Sequence, residues 1–505
     1  MFDKVLVANR GEIALRIVRA CHELGVKAVA VYSEADARAP HVREADEAVL
    51  LGPAPSSESY LKGDAIIAAA LATGAEAIHP GYGFLSEREW FARAVRDAGL
   101  VWIGPPAEAI AAMGSKTAAR TLAIAAGTPV VPGTTTALRD ADEAAEVAER
   151  FGYPVLLKAA AGGGGKGMRV VHQRSELASA LEAAQREAKN AFGDDAVYVE
   201  KYIVGPRHVE IQVLGDQHGT MLHLGERECS IQRRHQKMIE EAPSVAVTAE
   251  LRARMGAAAV AAARAAGYTN AGTCEFLLDA SGDFYFLEMN TRIQVEHPVT
   301  ELVTGIDLVQ WQLRIAAGEK LPFVQDDIVP RGWAIECRIT SEDPANGFLP
   351  STGRVRYLHL PSGPGVRWDG GIETGSEITL FYDPMLAKLI VHAPTREQAI
   401  ERMHRALLEL TIDGVDTARD FHLRMMENAD FRRGAIGIQW LEQHLDELLG
   451  QQPGRESVVR AAIAAALLAE RDRTARRAGA SPAGATTEAP RESTWLRVAR
   501  REALR

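Results

Sequence analysis

Through the first hundred residues short apolar strands alternate with amphipathic helices, and this pattern restricts the fold more than any other feature of the chain. KVLVAN reads as a strand and GEIALRIVRACHEL as a helix ended by Gly25. KAVAVYS, AEAIHP and VWIGP follow as further strands with helices between them. Strands separated by helices pair in parallel, so the pattern predicts a doubly wound parallel sheet. Ligands of such sheets bind at the carboxyl ends of the strands, where NRGEIA and HPGYGFLSE fall. NRGEIA has a single glycine and lacks the GxGxxG fingerprint, which argues against a nicotinamide cofactor.

The pattern changes near Gly114. PVLLKAA, a glycine run, MRVVHQ, a helix near Ser175–Lys189 and AVYVEKYI predict a small α+β unit at about 131–203. VEIQVLGD, MLHLGERECSI and two later strands surround an alanine-rich helix near Glu250–Ala266. A third region opens with AIECRI and holds several strands and a helix near Thr395–Leu410. The expected organisation is therefore 1–113, 114–330, 331–449 and a tail at 450–505. In the tail, Arg455–Arg477 is rich in alanine and arginine and predicts helix. ASPAGATTEAP reads as a linker, and WLRVARREALR is either a disordered end or a docking segment for a partner.

Composition narrows the function. A net charge of -10 argues against a dedicated nucleic-acid binder. No apolar run approaches the roughly 20 residues of a membrane span, and Met1 leads straight into a strand, so neither a membrane anchor nor a leader is expected. Cys21, Cys229, Cys274 and Cys337 lie far apart without a CxxC, which fits reduced thiols in a cytoplasmic protein.

Three stretches carry chemistry. Gly162 to Gly165, followed by Lys166, allow backbone N–H groups to approach an anion closely, while Lys158 ends the preceding strand. Ala160 stands where a P-loop needs glycine, so a phosphate-covering lid fits better than a Walker motif. Second, Cys274–Asp279 and Phe284–Asn290 predict a hairpin joined by ASGD. With Asp279 facing Phe284, counting back sets Glu275 opposite Glu288 and projects Asn290 from the same face. Opposed carboxylates repel, and a divalent cation such as Mg2+ or Mn2+ removes that penalty. Third, RRHQK brings four basic side chains together after an apolar strand, suited to an anionic intermediate.

HPGYGFLSE, GGGGKGM, RRHQKMIEEAP, EMNTRIQVEHPVTE and ECRI, in this order and spacing, resemble the biotin carboxylase component of biotin-dependent carboxylases, from about Phe2 to Leu445. The resemblance implies a Rossmann-like N-terminal domain, an ATP-grasp domain with a lid and a biotin carboxylase C-terminal domain. It implies a reaction in which ATP and bicarbonate form carboxyphosphate, which carboxylates biotin on a carrier protein. Carried over residue by residue, it assigns ATP contacts to Lys116, Lys158, Gly163, Gly164, Gly165, Lys166, His208, Gln232, His235 and Leu277. Glu200, Lys201 and Ile203 match an adenine-contacting hinge, and Glu275, Glu288 and Asn290 match the metal site. Arg292, Gln294 and Val295 would bind bicarbonate and Glu296 would deprotonate it. Lys237 would stabilise carboxyphosphate and Arg338 the biotin enolate, with Tyr82, Gly83 and Asp383 around the biotin.

The resemblance further implies a homodimer with Arg19, Glu23 and Arg367 at its contact, although Pro364 stands where many relatives carry phenylalanine. Arg19 and Glu23 could equally form an i, i+4 surface pair. Cys229, His79 and His297 are expected to be structural, and Glu301 to be a helix or surface acid. No AMKM-like biotinylation sequence is present, so a biotin carboxyl carrier protein and carboxyltransferase subunits are the expected partners. The acceptor is expected to be an acyl-CoA, such as acetyl-CoA or propionyl-CoA. The alternatives are pyruvate in a two-subunit carboxylase, a different ATP-grasp ligase, or a catalytically dead nucleotide-binding scaffold.

Overall fold

The computed structural model describes residues 1–134, 137–138, 140–159, 168–192, 195–450, 459–460 and 462–471. The chain divides into Met1–Leu449 and Gly450–Arg505. In the second unit the described residues are helical and expose Val459, Ile463, Leu467 and Leu468; the linker and the WLRVARREALR segment lie outside the described residues.

The N-terminal strands form the expected parallel sheet. β1 (Lys4–Val7), β2 (Lys27–Ser33), β3 (Glu47–Gly52), β4 (Ala77–His79) and β5 (Val101–Trp102) lie in the order β3-β2-β1-β4-β5. Helix α1 (Gly11–Glu23) covers one face by burying Ile13, Ile17, Val18 and Cys21. Gly25, at φ +72°, ends it in the left-handed conformation that glycine adopts without cost.

The predicted α+β unit is a three-stranded antiparallel sheet, with β6 (Val155–Ala159) between β7 (Met168–Val171) and β8 (Val197–Lys201). Its long helix runs from Leu177 to Phe192. The glycine run and Lys166 lie outside the described residues.

The rest of the first unit is built on an eight-stranded antiparallel sheet. Its strands are β9 (Arg207–Gly215), β10 (Met221–Arg233), β11 (Gln236–Ala242), β12 (Asn270–Leu278), β13 (Phe284–Asn290), β14 (Trp333–Thr340) and the strands Val366–Gly370 and Met385–Ala393. From one edge the order is β13-β12-β9-β10-β11-β14, then Met385–Ala393 and Val366–Gly370. The sheet therefore runs unbroken across position 330, where the change of pattern separates two regions of sequence. The alanine-rich helix is Ala249–Ala265, capped by Thr248, and the helix Arg396–Glu409 is capped by Thr395.

The hairpin count reaches its pair by a different register from the one assumed. Phe284 pairs with Leu278, not Asp279, so the loop spans 279–283. A bulge at Leu287 then shifts the ladder by one residue, and Glu275 does face Glu288. Period-two counting has no term for a bulge; here the longer loop and the bulge cancel.

Candidate active site

A cleft of about 1180 Å³ opens between the N-terminal strand ends, the three-stranded sheet and one face of the large sheet. Its floor follows from strand register. Arg227 on β10, Glu210 on β9, Glu275 on β12 and Glu288 on β13 occupy successive register positions across four strands. One cation and three carboxylates thus share a row whose inner members are buried. Carboxylates directly opposite one another are destabilising unless cations lie between them.

Two cations supply much of that compensation. Arg227, fully buried, donates to Glu210 at 2.5 Å and also to Gln212, Thr300 and Thr273. Lys237 reaches over from β11, its Nζ 2.5 Å from Glu210, 3.0 Å from Glu275 and 2.6 Å from Glu296. Burial works against the charged lysine, but these three carboxylates outweigh it and hold the ammonium well above its ordinary range. Burial likewise opposes ionisation of Glu275, yet Lys237 and His208, whose ring lies 3.0 Å away, hold its carboxyl well below the ordinary range.

At the Glu288 end the row offers hard oxygen donors from two facing carboxylates, the donor type that divalent magnesium or manganese takes together with phosphate oxygens. The residues present fit such an ion. Asn290 donates its amide N–H to Glu275 at 2.9 Å and turns its oxygen toward Arg292, so here it links the acidic row to the next segment.

That segment is Arg292–Glu296. Arg292 is held by Glu87 at 2.9 Å and by the Gln294 side chain at 3.0 Å. Glu87 also accepts from the Thr291 N–H, so the end of HPGYGFLSE clamps the start of this segment. Glu296 is fully buried between two cations: one oxygen meets Lys237 and the other meets Arg338 Nη2 at 2.9 Å. Burial would raise its carboxyl; Lys237, Arg338 and Arg227 prevail and hold it well below the ordinary range. Arg338 donates also to Glu240 at 2.6 Å, and burial pushes Glu240 up to about 7.

Of the residues singled out in the sequence, the cleft gathers Tyr82, Gly83, Lys158, Glu200, His208, Gln232, His235, Lys237, Glu275, Leu277, Glu288, Asn290, Arg292, Gln294, Val295, Arg338 and Asp383. Glu296 sits just behind this lining. Lys158 and Arg120 both donate to Glu200. Lys201 instead sends its ammonium to the Gly152 and Tyr153 carbonyls, and neither it nor Ile203 lines the cleft. Lys116 begins a helix, and its side chain lies outside the described ones. Within RRHQK the cations do not converge. Arg233 leaves to donate to the Gly347 carbonyl and lie over the Phe348 ring, while Arg234 and His235 form a two-residue turn at φ +49° and +66°.

Other expectations need correction. Arg19 pairs with Glu44, and Glu23 accepts from Gln310, so the i, i+4 pair does not form. Glu301 is no surface acid: buried, it is bridged by Arg16 and Arg367. Cys229 is buried with its thiol pushed well above the ordinary range, as expected of a structural residue. Glu210, Arg227, Glu87 and Glu240 were missed. The first had a signal, since His208, Glu210 and Gln212 alternate along an otherwise apolar strand.

Three family profiles match the chain in succession: the biotin carboxylase N-terminal domain over residues 1–110, the ATP-binding domain of the carbamoyl-phosphate synthase L chain over 115–324, and the biotin carboxylase C-terminal domain over 336–443. A pyruvate carboxylase subunit of Methanothermobacter thermautotrophicus is 54% identical over 444 residues, 88% of this chain and 90% of that protein. Biotin carboxylase of a Nostoc species is 53% identical over 442 residues, 88% of this chain and 99% of that one. Among solved structures, the biotin carboxylase domain dimer of Hydrogenobacter thermophilus 2-oxoglutarate carboxylase, in complex with MgADP, ADP and bicarbonate, has a TM-score of 0.82. It is 49% identical, with 90% of this chain and all of that one covered.

Proposed function

This chain belongs to the biotin carboxylase family, and we propose that its cleft carboxylates carrier-bound biotin through carboxyphosphate made from ATP and bicarbonate. It is an ATP-dependent ligase, the biotin carboxylase subunit of a biotin-dependent carboxylase. The observation that carries the site assignment is Glu296 held between Lys237 and Arg338 in a water-poor pocket beside the acidic row.

In this reading Arg292, Gln294 and Val295 bind bicarbonate, and Glu296 removes its proton. The freed oxygen attacks the γ-phosphorus of ATP and ADP leaves. Lys237 and Arg338 make Glu296 a weak base while both hold it. When Lys237 turns to carboxyphosphate and Arg338 to the ureido oxygen of biotin, the buried carboxylate loses both cations and its proton affinity rises. Arg338 then faces the developing enolate as a permanent charge. Glu275 and Glu288 would hold magnesium or manganese, which supplies charge neutralisation of the phosphates when bound. Tyr82, Gly83 and Asp383 line the side where biotin enters. Lys116, Lys158, the glycine run at 163–165, Lys166, Glu200, Lys201, Ile203, His208, Gln232, His235 and Leu277 are assigned to ATP.

Its partners in this role are a biotin carboxyl carrier protein and the carboxyltransferase. We assign a homodimer and a cytoplasmic location; no helix among the described residues is long and apolar enough to cross a membrane. For the final acceptor we propose an acyl-CoA, because the tail occupies the position of the partner-binding region in longer acyl-CoA carboxylase chains. A second reading, a two-subunit pyruvate carboxylase, is favoured by the 54% identity to a component of such an enzyme. Bicarbonate-dependent ATP hydrolysis, measured with and without free biotin, tests the activity. Biotin should stimulate it, and no stimulation would point to another ATP-grasp ligase.

A further inference from the structure

A lysine behind the cleft is used by none of these steps. Lys388, on the strand Met385–Ala393, is fully buried, and its ammonium has two partners among the described residues. Nζ lies 3.1 Å from Glu12 Oε2 and donates to the Val295 carbonyl at 2.9 Å. Burying an ammonium is costly, and an apolar side chain of similar length could fill the same space. Charge pairing with Glu12 explains how the lysine is tolerated, but not why it reaches a backbone carbonyl in a segment 93 residues away.

The carbonyl it holds belongs to the rigid peptide plane joining Val295 to Glu296. The preceding carbonyl, of Gln294, is met by the His297 ring at 2.8 Å, so two successive peptide groups are tied from behind. Glu296 then caps the helix His297–Thr304 through its backbone alone, leaving its side chain to Lys237 and Arg338. The other oxygen of Glu12 accepts from the Tyr82 hydroxyl, which faces the cleft. Arg338 is the direct register partner of Lys388 on β14, and Asp369 is its partner on the other side. One buried ammonium therefore touches the segment proposed for bicarbonate and, through Glu12, the tyrosine proposed for biotin.

We propose that Lys388 is a positioning residue for this reaction: it fixes the Val295–Glu296 peptide so that the 292–296 segment receives bicarbonate with Glu296 correctly aimed. The inference rests on the assignment of that segment to bicarbonate.

The test uses the full chain, with bicarbonate KM, ATP KM and melting temperature measured in three variants. Lys388→Met removes the donor but strands the Glu12 charge. Glu12→Gln/Lys388→Met removes both charges and keeps an acceptor for Tyr82, so it separates charge balance from positioning if the single variant folds poorly. Arg292→Ala reports on the bicarbonate assignment itself. Bicarbonate KM should rise at least tenfold in both lysine variants, ATP KM should stay within twofold, and only the melting temperature should recover in the double variant. A double variant with unaltered bicarbonate KM, while Arg292→Ala raises it, would overturn the positioning role alone. An unchanged bicarbonate KM in Arg292→Ala would overturn the site assignment and the inference with it.

Discussion

Glu210 and Glu275 are register partners on adjacent strands, and both reach the same ammonium, that of Lys237, at 2.5 and 3.0 Å. Two buried carboxylates side by side are tolerable only because Lys237 on the cleft side and Arg227 behind them share their charge. Removing one partner of a buried ion pair costs about 3–5 kcal/mol, whereas replacing both can be nearly neutral. Arg227→Met should accordingly destabilise the chain by about that amount in urea denaturation. Arg227→Met with Glu210→Gln should lose distinctly less, and equal losses would show that the pairing is not what holds the row.

The position of Glu296 between two cations makes it the group whose loss should matter most for bicarbonate. Glu296→Gln keeps the shape and removes the base. Bicarbonate-dependent ATP hydrolysis should fall by about 10² to 10⁴ while nucleotide binding, followed by calorimetry, stays within a fewfold. Turnover close to that of the unaltered chain would reassign the base.

Glu288 lies at the open end of the acidic row. Glu288→Gln should raise the magnesium concentration for half-maximal ATP hydrolysis by tenfold or more, and manganese should rescue part of the loss. A magnesium titration that does not move would place the ion elsewhere.

Glu240 gives a pH signature. Burial raises its carboxyl from 4.5 to about 7 in the folded chain, opposed only partly by Arg338. The folded state then binds more protons than the unfolded one between about pH 4.5 and 7, so this group's stabilising contribution is present below pH 4.5 and is lost as pH rises through 7. A shift of this size corresponds to at most about 3 kcal/mol. Glu240→Gln should flatten the fall in stability over that window. Glu275 and Glu296, depressed by their cations, act oppositely: they stabilise above about pH 4.5 and lose that contribution in acid. Parallel stability–pH curves for Glu240→Gln and the unaltered chain would contradict the assignment.

Residues beyond Gly450 should matter for assembly and not for chemistry. A chain ending at Gly450 should carboxylate free biotin at the full rate but assemble more weakly with its carboxyltransferase. Sedimentation that detects equal assembly with and without the tail would remove its docking role.

The elements that position the cleft are largely legible in the sequence because they are local. The parallel sheet follows from alternating periods, the capped helices from Thr248 and Thr395, and the facing of Glu275 and Glu288 from a hairpin. The 292–296 segment is recognisable only by resemblance, since nothing in its spacing distinguishes a bicarbonate loop from a charged turn. What stayed hidden depends on contacts between distant parts of the chain. Glu87 reaches Arg292 across 205 positions and Arg367 reaches Glu301 across 66.

By itself, then, the sequence determined which strands and helices form and which residue types stand at their ends, because propensity, capping and periodicity act over a few residues. The tertiary structure alone decided which charges meet. Strand order aligns Arg227, Glu210, Glu275 and Glu288 in one row, and burial makes each of those encounters strong enough to set protonation. The same burial sends Arg233 and Lys201 away from the cleft, and brings Lys388, from the far end of the chain, up against Val295. Electrostatic partners act through space and a low dielectric, and a linear pattern carries neither.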